Sequence, residues 1–270
     1  NALLWKVSGN DLEEPSYLFG TIHMIGEKDF WLSDTLKASF ATTDRVAFEI
    51  DMDELTDFSA LMPLIMDSFM SNDTTLADLL SQEEYDIVKN HFEQSGLPFF
   101  MLDRIKPMFL SALGGGDLFT TEGEATQLVS YEMELMNIAR QQEKDIAGLE
   151  TIEFQMSIID SIPYGIQAKM LLESIQSIDS SEDQMEQLIE MYKDEDLEGL
   201  HSMVVSDEAG IGAYEEIFIS RRNRNWIPAM EKMMREGSTF FAVGAGHLGG
   251  KNGVLALLEA SGYQLTPLRD

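Results

Sequence analysis

The cleanest pattern along the chain is the alternation Arg45-Val-Ala-Phe-Glu-Ile-Asp51. It sets Val46, Phe48 and Ile50 on one face and Ala47, Glu49 and Asp51 on the other. A period of two in β-branched and aromatic residues predicts a strand of a central sheet. Shorter apolar runs predict further strands. Residues 3–8 and 16–22 flank the polar turn Ser8-Gly-Asn-Asp11, a hairpin signal. Residues 145–150 and 239–243 lie between helical stretches, and residues 263–268 follow a helix over 253–260. Helical periodicity dominates the remainder. A helix follows Phe30-Trp-Leu-Ser33 to about residue 41, and Ser81-Gln-Glu-Glu84 reads as a capping box. A long helix runs from about Tyr214 to Arg235, with Ile219, Asn223, Trp226, Met230 and Met233 on one stripe and Arg222 beside it. Gly96-Leu-Pro98 and Gly114-Gly-Gly116 are breaks, and loops fall near 177–182 and 207–212.

This order of elements predicts an α/β fold. A central mixed, largely parallel sheet is drawn from the N-terminal, middle and C-terminal segments, with helices flanking it. One domain then covers residues 1–270, its core about 1–52, 144–156 and 214–270, with large helical insertions over about 53–143 and 157–213.

Two copies of Gly-x-x-His stand near opposite ends of the chain, Gly20-Thr-Ile-His23 and Gly244-Ala-Gly-His247, each after a predicted strand. Only four histidines are present, so two of them share one unusual local setting. Ligands of parallel sheets gather beyond the carboxyl ends of the strands. Four strands here end on a candidate group: His23, Glu49, Glu150 and His247. Two imidazoles and a carboxylate make a common divalent-metal site with positions left open for water and substrate. His23, Glu49 and His247 are the candidate metal ligands, and Glu150 is the candidate general base or a partner of the ligands. Arg222 and Asn223 imply polar groups on an apolar helix face, where each needs a partner. Arg222 suits a substrate carboxylate or an oxyanion. The competing structural reading has the histidines closing turns on backbone carbonyls and Arg222 pairing with an acid. His91 and His201, in acidic helical stretches, read as surface residues.

Composition narrows the partners. Lys and Arg total 18 against 48 Asp and Glu, a net charge of −30. Such a field repels phosphate backbones and anionic membrane surfaces, which argues against nucleic acid as a partner. With no cysteine, thiolate zinc sites, disulfides and cysteine nucleophiles are excluded. That composition fits the cytosol and an extracytoplasmic space equally. No run of about 18 apolar residues predicts a membrane span. The chain begins Asn1-Ala-Leu-Leu-Trp5 without an initiator methionine, the expectation being a trimmed or processed form.

With these residues assembled, the chain resembles the TraB/GumN (TraB/PrgY/GumN) family, which is related to the TIKI metalloproteases. The matching pieces are Leu4-Trp-Lys-Val7, Tyr17-Leu-Phe-Gly-Thr-Ile-His-Met24, Val46-Ala-Phe-Glu-Ile-Asp51, Gly148-Leu-Glu-Thr151 with Gln155, Arg222-Asn223 with Trp226, and Val243-Gly-Ala-Gly-His-Leu248 followed by Gly262-Tyr263. Ser130-Tyr-Glu132 and Lys106-Pro107 also look like family positions. The resemblance implies a fold akin to the erythromycin-esterase and ChaN-like group. It also implies a metal-dependent hydrolase, a peptidase of the TIKI kind acting on an amide bond. By position it implies His23, Glu49 and His247 at a divalent metal (Mn, Co or Zn), with Arg222 and Asn223 nearby. Peptides or small molecules are then the substrates. Members of the family are mostly bacterial, and signal or lipoprotein segments among them imply a periplasmic or surface location. Two alternatives stay open: a metal-independent esterase-type hydrolase with His23 as base, and a peptide- or haem-binding protein without chemistry.

Overall fold

The structure is a computed structural model, and it describes residues 2–51, 62, 65–94, 96, 98–114, 128–205 and 212–269, without the side chains of 112–114 and 178–183. The parts of expected breaks and loops at 97, 115–116 and 207–211 lie outside these residues. The chain divides into two compact units. The first comprises Asn1–Glu54, Gln127–Ile152 and Glu186–Asp270; the second comprises Leu55–Thr126 and Glu153–Met185.

The first unit is built on a six-stranded sheet. Its strands in chain order are β1 (Leu4–Ser8), β2 (Ser16–Thr21), β4 (Arg45–Ile50), β6 (Asp145–Glu150), β7 (Thr239–Gly244) and β8 (Gln264–Leu268). Two further strands, β3 (Ile25–Gly26) and β5 (Leu128–Val129), pair with each other as a separate antiparallel ribbon. At two residues each, they are too short for any periodicity to announce them. The sheet order is β6-β4-β7-β2-β1-β8. The contiguous set β6, β4, β7 and β2 is parallel, while β1 runs antiparallel to both β2 and β8.

Sequence explains the positions. Phe240-Phe-Ala-Val243 is buried throughout, as a central parallel strand covered on both faces requires. Pro267 cannot donate to a ladder, and it lies on β8, an edge strand of the sheet. The hairpin turn between β1 and β2 bends at Gly9, Asn10 and Asp11, all with positive φ, residue types that tolerate that region.

Helices pack this sheet. They are α1 (Asp34–Ala41), α5 (Tyr131–Gln141), the part of α8 (Ile178–Lys193) from Glu186 on, α9 (Leu197–Val204), α10 (Arg221–Glu236) and α11 (Val254–Ala260), numbered with the second unit's α2 (Leu76–Leu79), α3 (Gln82–Gln94), α4 (Pro107–Gly114), α6 (Ile152–Asp160) and α7 (Tyr164–Gln176). The sheet unit reaches beyond the expected core segments because Tyr131, Leu135, Met136 and Ala139 of α5, Tyr192 of α8, and Leu197 and Leu200 of α9 are buried in the sheet's own core. Two stretches rich in helix signal depart from expectation. The expected loop near 177–182 shrinks to Ser177, because Asp, Ser and Glu suit the first turn of a helix as well as a loop. The expected helix from Tyr214 opens with a π-helical turn, Glu216–Ser220, before α10 begins. Such turns are rare and occur often at functional sites. In the second unit, Ser81 and Glu84 form the capping box that starts α3, with Ser81 N–H donating to Glu84 Oε2 at 2.9 Å. That unit has its own core, centred on Leu76, Val88, Phe92, Phe99, Leu110, Ala168 and Leu171.

Candidate active site

Four parallel neighbours end at one edge of the sheet. There β2 leads to His23, β4 carries Glu49, β6 ends at Glu150, and β7 runs into a single turn of 3-10 helix, Ala245–His247. The register aligns Thr21 with Gly244 and Ile50 with Glu150, so the groups arrive at one level. Gly244 lies close against the glutamate: a Cβ there would meet Glu49 Oε1 at 3.2 Å, a tight contact. Its N–H instead donates to that oxygen at 2.9 Å.

The buried part of the site centres on Arg222, the second residue of α10. Its Nη2 donates to Glu49 Oε2 at 2.5 Å and to Glu150 Oε1 at 2.6 Å, and its Nε donates to Glu150 Oε1 at 2.9 Å. Nη1 donates to the Phe218 carbonyl of the π-helical turn at 3.2 Å and lies 3.3 Å from His247 Nε2. The other oxygen of Glu150 accepts from Trp226 Nε1 at 2.8 Å. The Trp226 ring also lies under the guanidinium, 5.0 Å from Cζ, and 4.5 Å from the His247 ring. One cation therefore serves two carboxylates in a site where its own side chain is only 11% exposed. Taking such charges out of water is tolerable only with pairing this complete.

Asn223 fixes the tautomer of His247. Its Nδ2 donates to the carbonyls of His247 (3.2 Å) and Asn252 (2.9 Å), which orients the amide so that Oδ1 faces His247 Nδ1 at 2.6 Å. Nδ1 must then carry the hydrogen, and the lone pair is on Nε2. That lone pair lies 3.9 Å from Glu49 Oε1. Burial is the largest influence on the ring and holds its pKa down at about 3, with the Arg222 charge acting the same way against Glu49. His247 is neutral at pH 7. Burial pushes Glu49 upward, but His247, Arg222, His23 and the Gly244 N–H outweigh it and hold the carboxyl at about 2. Arg222 is raised above its ordinary value, because the two carboxylates outweigh the effect of burial.

His23 is the opposite case. Its side chain is 74% exposed, and its Nδ1–H donates to Glu132 Oε1 at 3.0 Å. Glu132 is held by Thr21 Oγ1 (2.7 Å) on one oxygen and Ser130 Oγ (3.0 Å) on the other. Ser130 also caps α5, accepting from Met133 N at 3.3 Å. The Glu132 hydrogen bond is the main reason the His23 pKa rises to about 9, with the charge of Glu49 adding to it and that of Arg222 opposing. Nε2 is the atom left to take up and release a proton.

Remote side chains tie both motifs in place. Tyr192 Oη donates to the Gly20 carbonyl at 2.9 Å, and His201 Nδ1–H donates to the Gly246 carbonyl at 2.9 Å. His201 is half-buried, packed so closely on Gly250 (φ +77°) that a Cβ there would stand 2.5 Å from its Nε2. The expectation of a surface residue fails for His201, because a loop distant in sequence folds over it.

The structure thus gathers Glu49, Glu150, Arg222, Asn223 and His247 into one bonded network, and sets His23 beside it in a separate pair with Glu132. Glu150 has both oxygens engaged inside the cluster, one on Arg222 and the other on Trp226. Arg222 is likewise engaged, on Glu49, Glu150 and the Phe218 carbonyl. Glu132 had shown itself only as a family position; the Ser-x-Glu spacing at a helix start was its one local signal.

Among the described residues, no group of three or more His, Asp or Glu side chains is arranged to hold a metal ion. The cause is local. His23 Nδ1 is committed to Glu132, each carboxylate of the cluster offers an oxygen to Arg222, and Arg222 Nη1 faces the one imidazole lone pair the cluster presents. The residues present do not fit a divalent ion, because a guanidinium already stands among the donors.

Residues 3–267 match the profile of the TraB/PrgY/gumN family, and the chain belongs to that family. Metalloprotease TIKI2 of Danio rerio is 23% identical over 320 aligned residues, covering 98% of this chain and 60% of that protein. Metalloprotease TIKI1 of Danio rerio is also 23% identical, with 98% and 63% covered. Metalloprotease TIKI1 of Homo sapiens is 22% identical, with 98% and 61% covered. The chain spans less than two thirds of the length of these relatives. No solved structure matches it. Among the described residues no helix is long and apolar enough to cross a membrane.

Proposed function

We propose that this chain is a hydrolase that cleaves an amide bond of peptide substrates at the carboxyl edge of β2, β7, β4 and β6. One observation carries the reading: two histidines on matched motifs are driven to opposite protonation states, His23 up to about 9 and His247 down to about 3. A pair of titratable groups pushed apart by their surroundings is the mark of an acid–base site. The names of the relatives supply the substrate class.

His23 carries the proton that hydrolysis needs. Water adds to the carbonyl carbon, the C–N bond breaks, and the leaving nitrogen takes the proton from His23 Nε2. The proton lost by the water then restores His23. Glu132 keeps the imidazole charged and oriented, and Thr21 and Ser130 keep Glu132 in place. The neutral His247 and the ionised Glu49 form the polar floor beside it. A divalent metal is the cofactor that the relatives' names suggest. No step is routed through one, because Arg222 stands among the donors.

The test is digestion of a mixed peptide library and an ester panel by the wild type, with chelator and then with Mn²⁺, Co²⁺ or Zn²⁺, beside His23→Ala and Glu132→Gln. Cleavage reduced roughly 10²–10⁴-fold in His23→Ala is expected for a lost acid–base group. Equal turnover in wild type and His23→Ala would remove His23 from the chemistry. A wild type that binds peptides yet never cleaves them would make the chain a binder.

A further inference from the structure

Among the described residues of the first unit, four large apolar side chains stand exposed: Met24 (38%), Trp31 (37%), Leu128 (38%) and Met133 (45%). All four fall in two short segments, 24–31 and 128–133, which several contacts hold together. Ile25 pairs with Val129 and Gly26 with Leu128 in the ribbon of β3 and β5. Tyr131 Oη donates to the Trp31 carbonyl at 3.0 Å, and the two rings meet edge to face at 6.4 Å. Glu132 Oε1 accepts from His23 Nδ1 at 3.0 Å. Ile25 is buried opposite Val129, so Leu128, one step along the ribbon, takes the outer face. Met24 follows His23 and Met133 follows Glu132, so the apolar residues border the exposed imidazole. Lys28 lies 3.9 Å from Asp29, whose other oxygen takes Lys193, and the two segments contribute little to the chain's charge of −30. Single exposed apolar residues are ordinary, but a group that takes in every such residue of a unit marks a binding surface.

We infer that Met24, Leu128 and Met133, together with Trp31, form the recognition surface for a large apolar side chain of the substrate, beside the amide whose nitrogen takes the proton of His23. The inference rests on the proposed hydrolysis and narrows it, from peptides in general to peptides with Leu, Met, Ile or Phe next to the cleaved bond. Continuity with His23 decides the occupant. An extended peptide advances only about 3.3–3.6 Å per residue, so a chain whose scissile nitrogen meets Nε2 must lay its flanking residues over the neighbours of His23 and Glu132. Its apolar side chain then covers thioether and aliphatic carbon that water covers in the free protein. Two of the three aliphatic positions are methionine, unbranched and polarisable, which suits side chains of differing shape and selects for apolar bulk rather than for one residue. An acidic side chain is disfavoured there twice, by its own desolvation and by the negative field of the chain.

The experiment digests a randomised peptide library and reads the cut sites by mass spectrometry, for wild type, for Met24→Ser/Leu128→Ser/Met133→Ser and for Met24→Leu/Met133→Leu. Alongside it, fluorescent peptides with Leu, Met, Ser or Asp at the central positions are titrated with His23→Ala, with and without the three serines, and followed by anisotropy. Wild type is expected to favour Leu, Met, Ile or Phe over Ser or Asp beside the cut bond by roughly tenfold or more, the ratio that burying one such side chain supplies. The serine variant is expected to level this preference, and the leucine variant to keep it. Should the triple variant not fold, the single serine variants carry the same test. Cleavage without an apolar preference, or a preference that the serine variant leaves intact, overturns the inference and leaves the hydrolysis standing. A protein that cleaves nothing yet binds the apolar peptides, and loses that binding with the three serines, keeps the recognition surface and removes the hydrolysis. Neither cleavage nor binding overturns both.

Discussion

The two Gly-x-x-His motifs end two adjacent parallel strands, β2 and β7, yet their histidines live in opposite surroundings. His23 is exposed and donates to a carboxylate; His247 is buried and donates to an amide oxygen. Glu132 rewards the charged ring, whereas burial beside Arg222 penalises it. Each motif is tied by one distant side chain on a backbone carbonyl, Tyr192 on Gly20 and His201 on Gly246. The shared Gly-x-x-His spacing therefore sets the position of an imidazole, and the neighbours set its charge.

The strongest way to break the contrast is to disturb the cluster that keeps His247 neutral. Glu150→Gln removes a carboxylate from the Arg222 pair and weakens the support of Trp226. A loss of about 3 kcal/mol in denaturant unfolding is expected, at the low end for a broken buried ion pair because Glu49 still holds the guanidinium.

Acid sensitivity separates the two histidines next. His247 is held at about 3 in the fold against an ordinary 6.5, so below pH 6.5 the unfolded chain binds a proton that the folded one refuses. Stability must fall as the pH drops from about 6.5 toward 3. Glu49, held at about 2 against 4.5, adds a second loss as the pH drops from 4.5 toward 2. In His247→Gln the onset of acid destabilisation is expected to move from near pH 6.5 to near pH 4.5, read from melting temperatures across pH. His23 acts with the other sign: raised to about 9, it favours the fold at low pH, and this contribution fades as the pH climbs from 6.5 through 9. An onset unchanged by the substitution would show that His247 does not govern the acid limb.

Asn223→Ala sharpens the tautomer claim. It leaves Nδ1–H of a buried ring and two carbonyls without their amide partner, an expected loss of about 1–3 kcal/mol. Nitrogen chemical shifts of His247 should show a single tautomer in wild type and a mixture in the variant. Glu132→Gln is the gentlest change, since it acts at an exposed ring. The pKa of His23, followed by proton NMR, is expected to fall from about 9 toward 6.5, and the alkaline limb of peptide cleavage should move down with it. A His23 pKa that stays near 9 would assign the shift to something other than Glu132.

Much of this was legible from the chain. The alternation over 45–51, the all-apolar run at 240–243 and the hairpin turn at 8–11 each carry a local signature, and the structure contains those strands. The capping box of Ser81 and Glu84 is equally local. Glu132 and His201 were not legible as site residues, because what matters about them is a partner 109 residues away for one and 45 for the other. The two-residue ribbon of β3 and β5 and the π-helical start of the long helix left no periodic trace either.

The amino-acid pattern alone determined that this chain folds as an α/β protein with candidate groups at strand ends, since period, turn chemistry and burial are properties of short segments. Tertiary structure alone decided which groups bond to which: that Arg222 lies between Glu49 and Glu150, that Asn223 fixes the tautomer of His247, and that Glu132 charges His23. The reason is physical. Protonation and ion pairing depend on dielectric and on distances of a few ångströms, and those are set only when segments far apart in sequence close on one another.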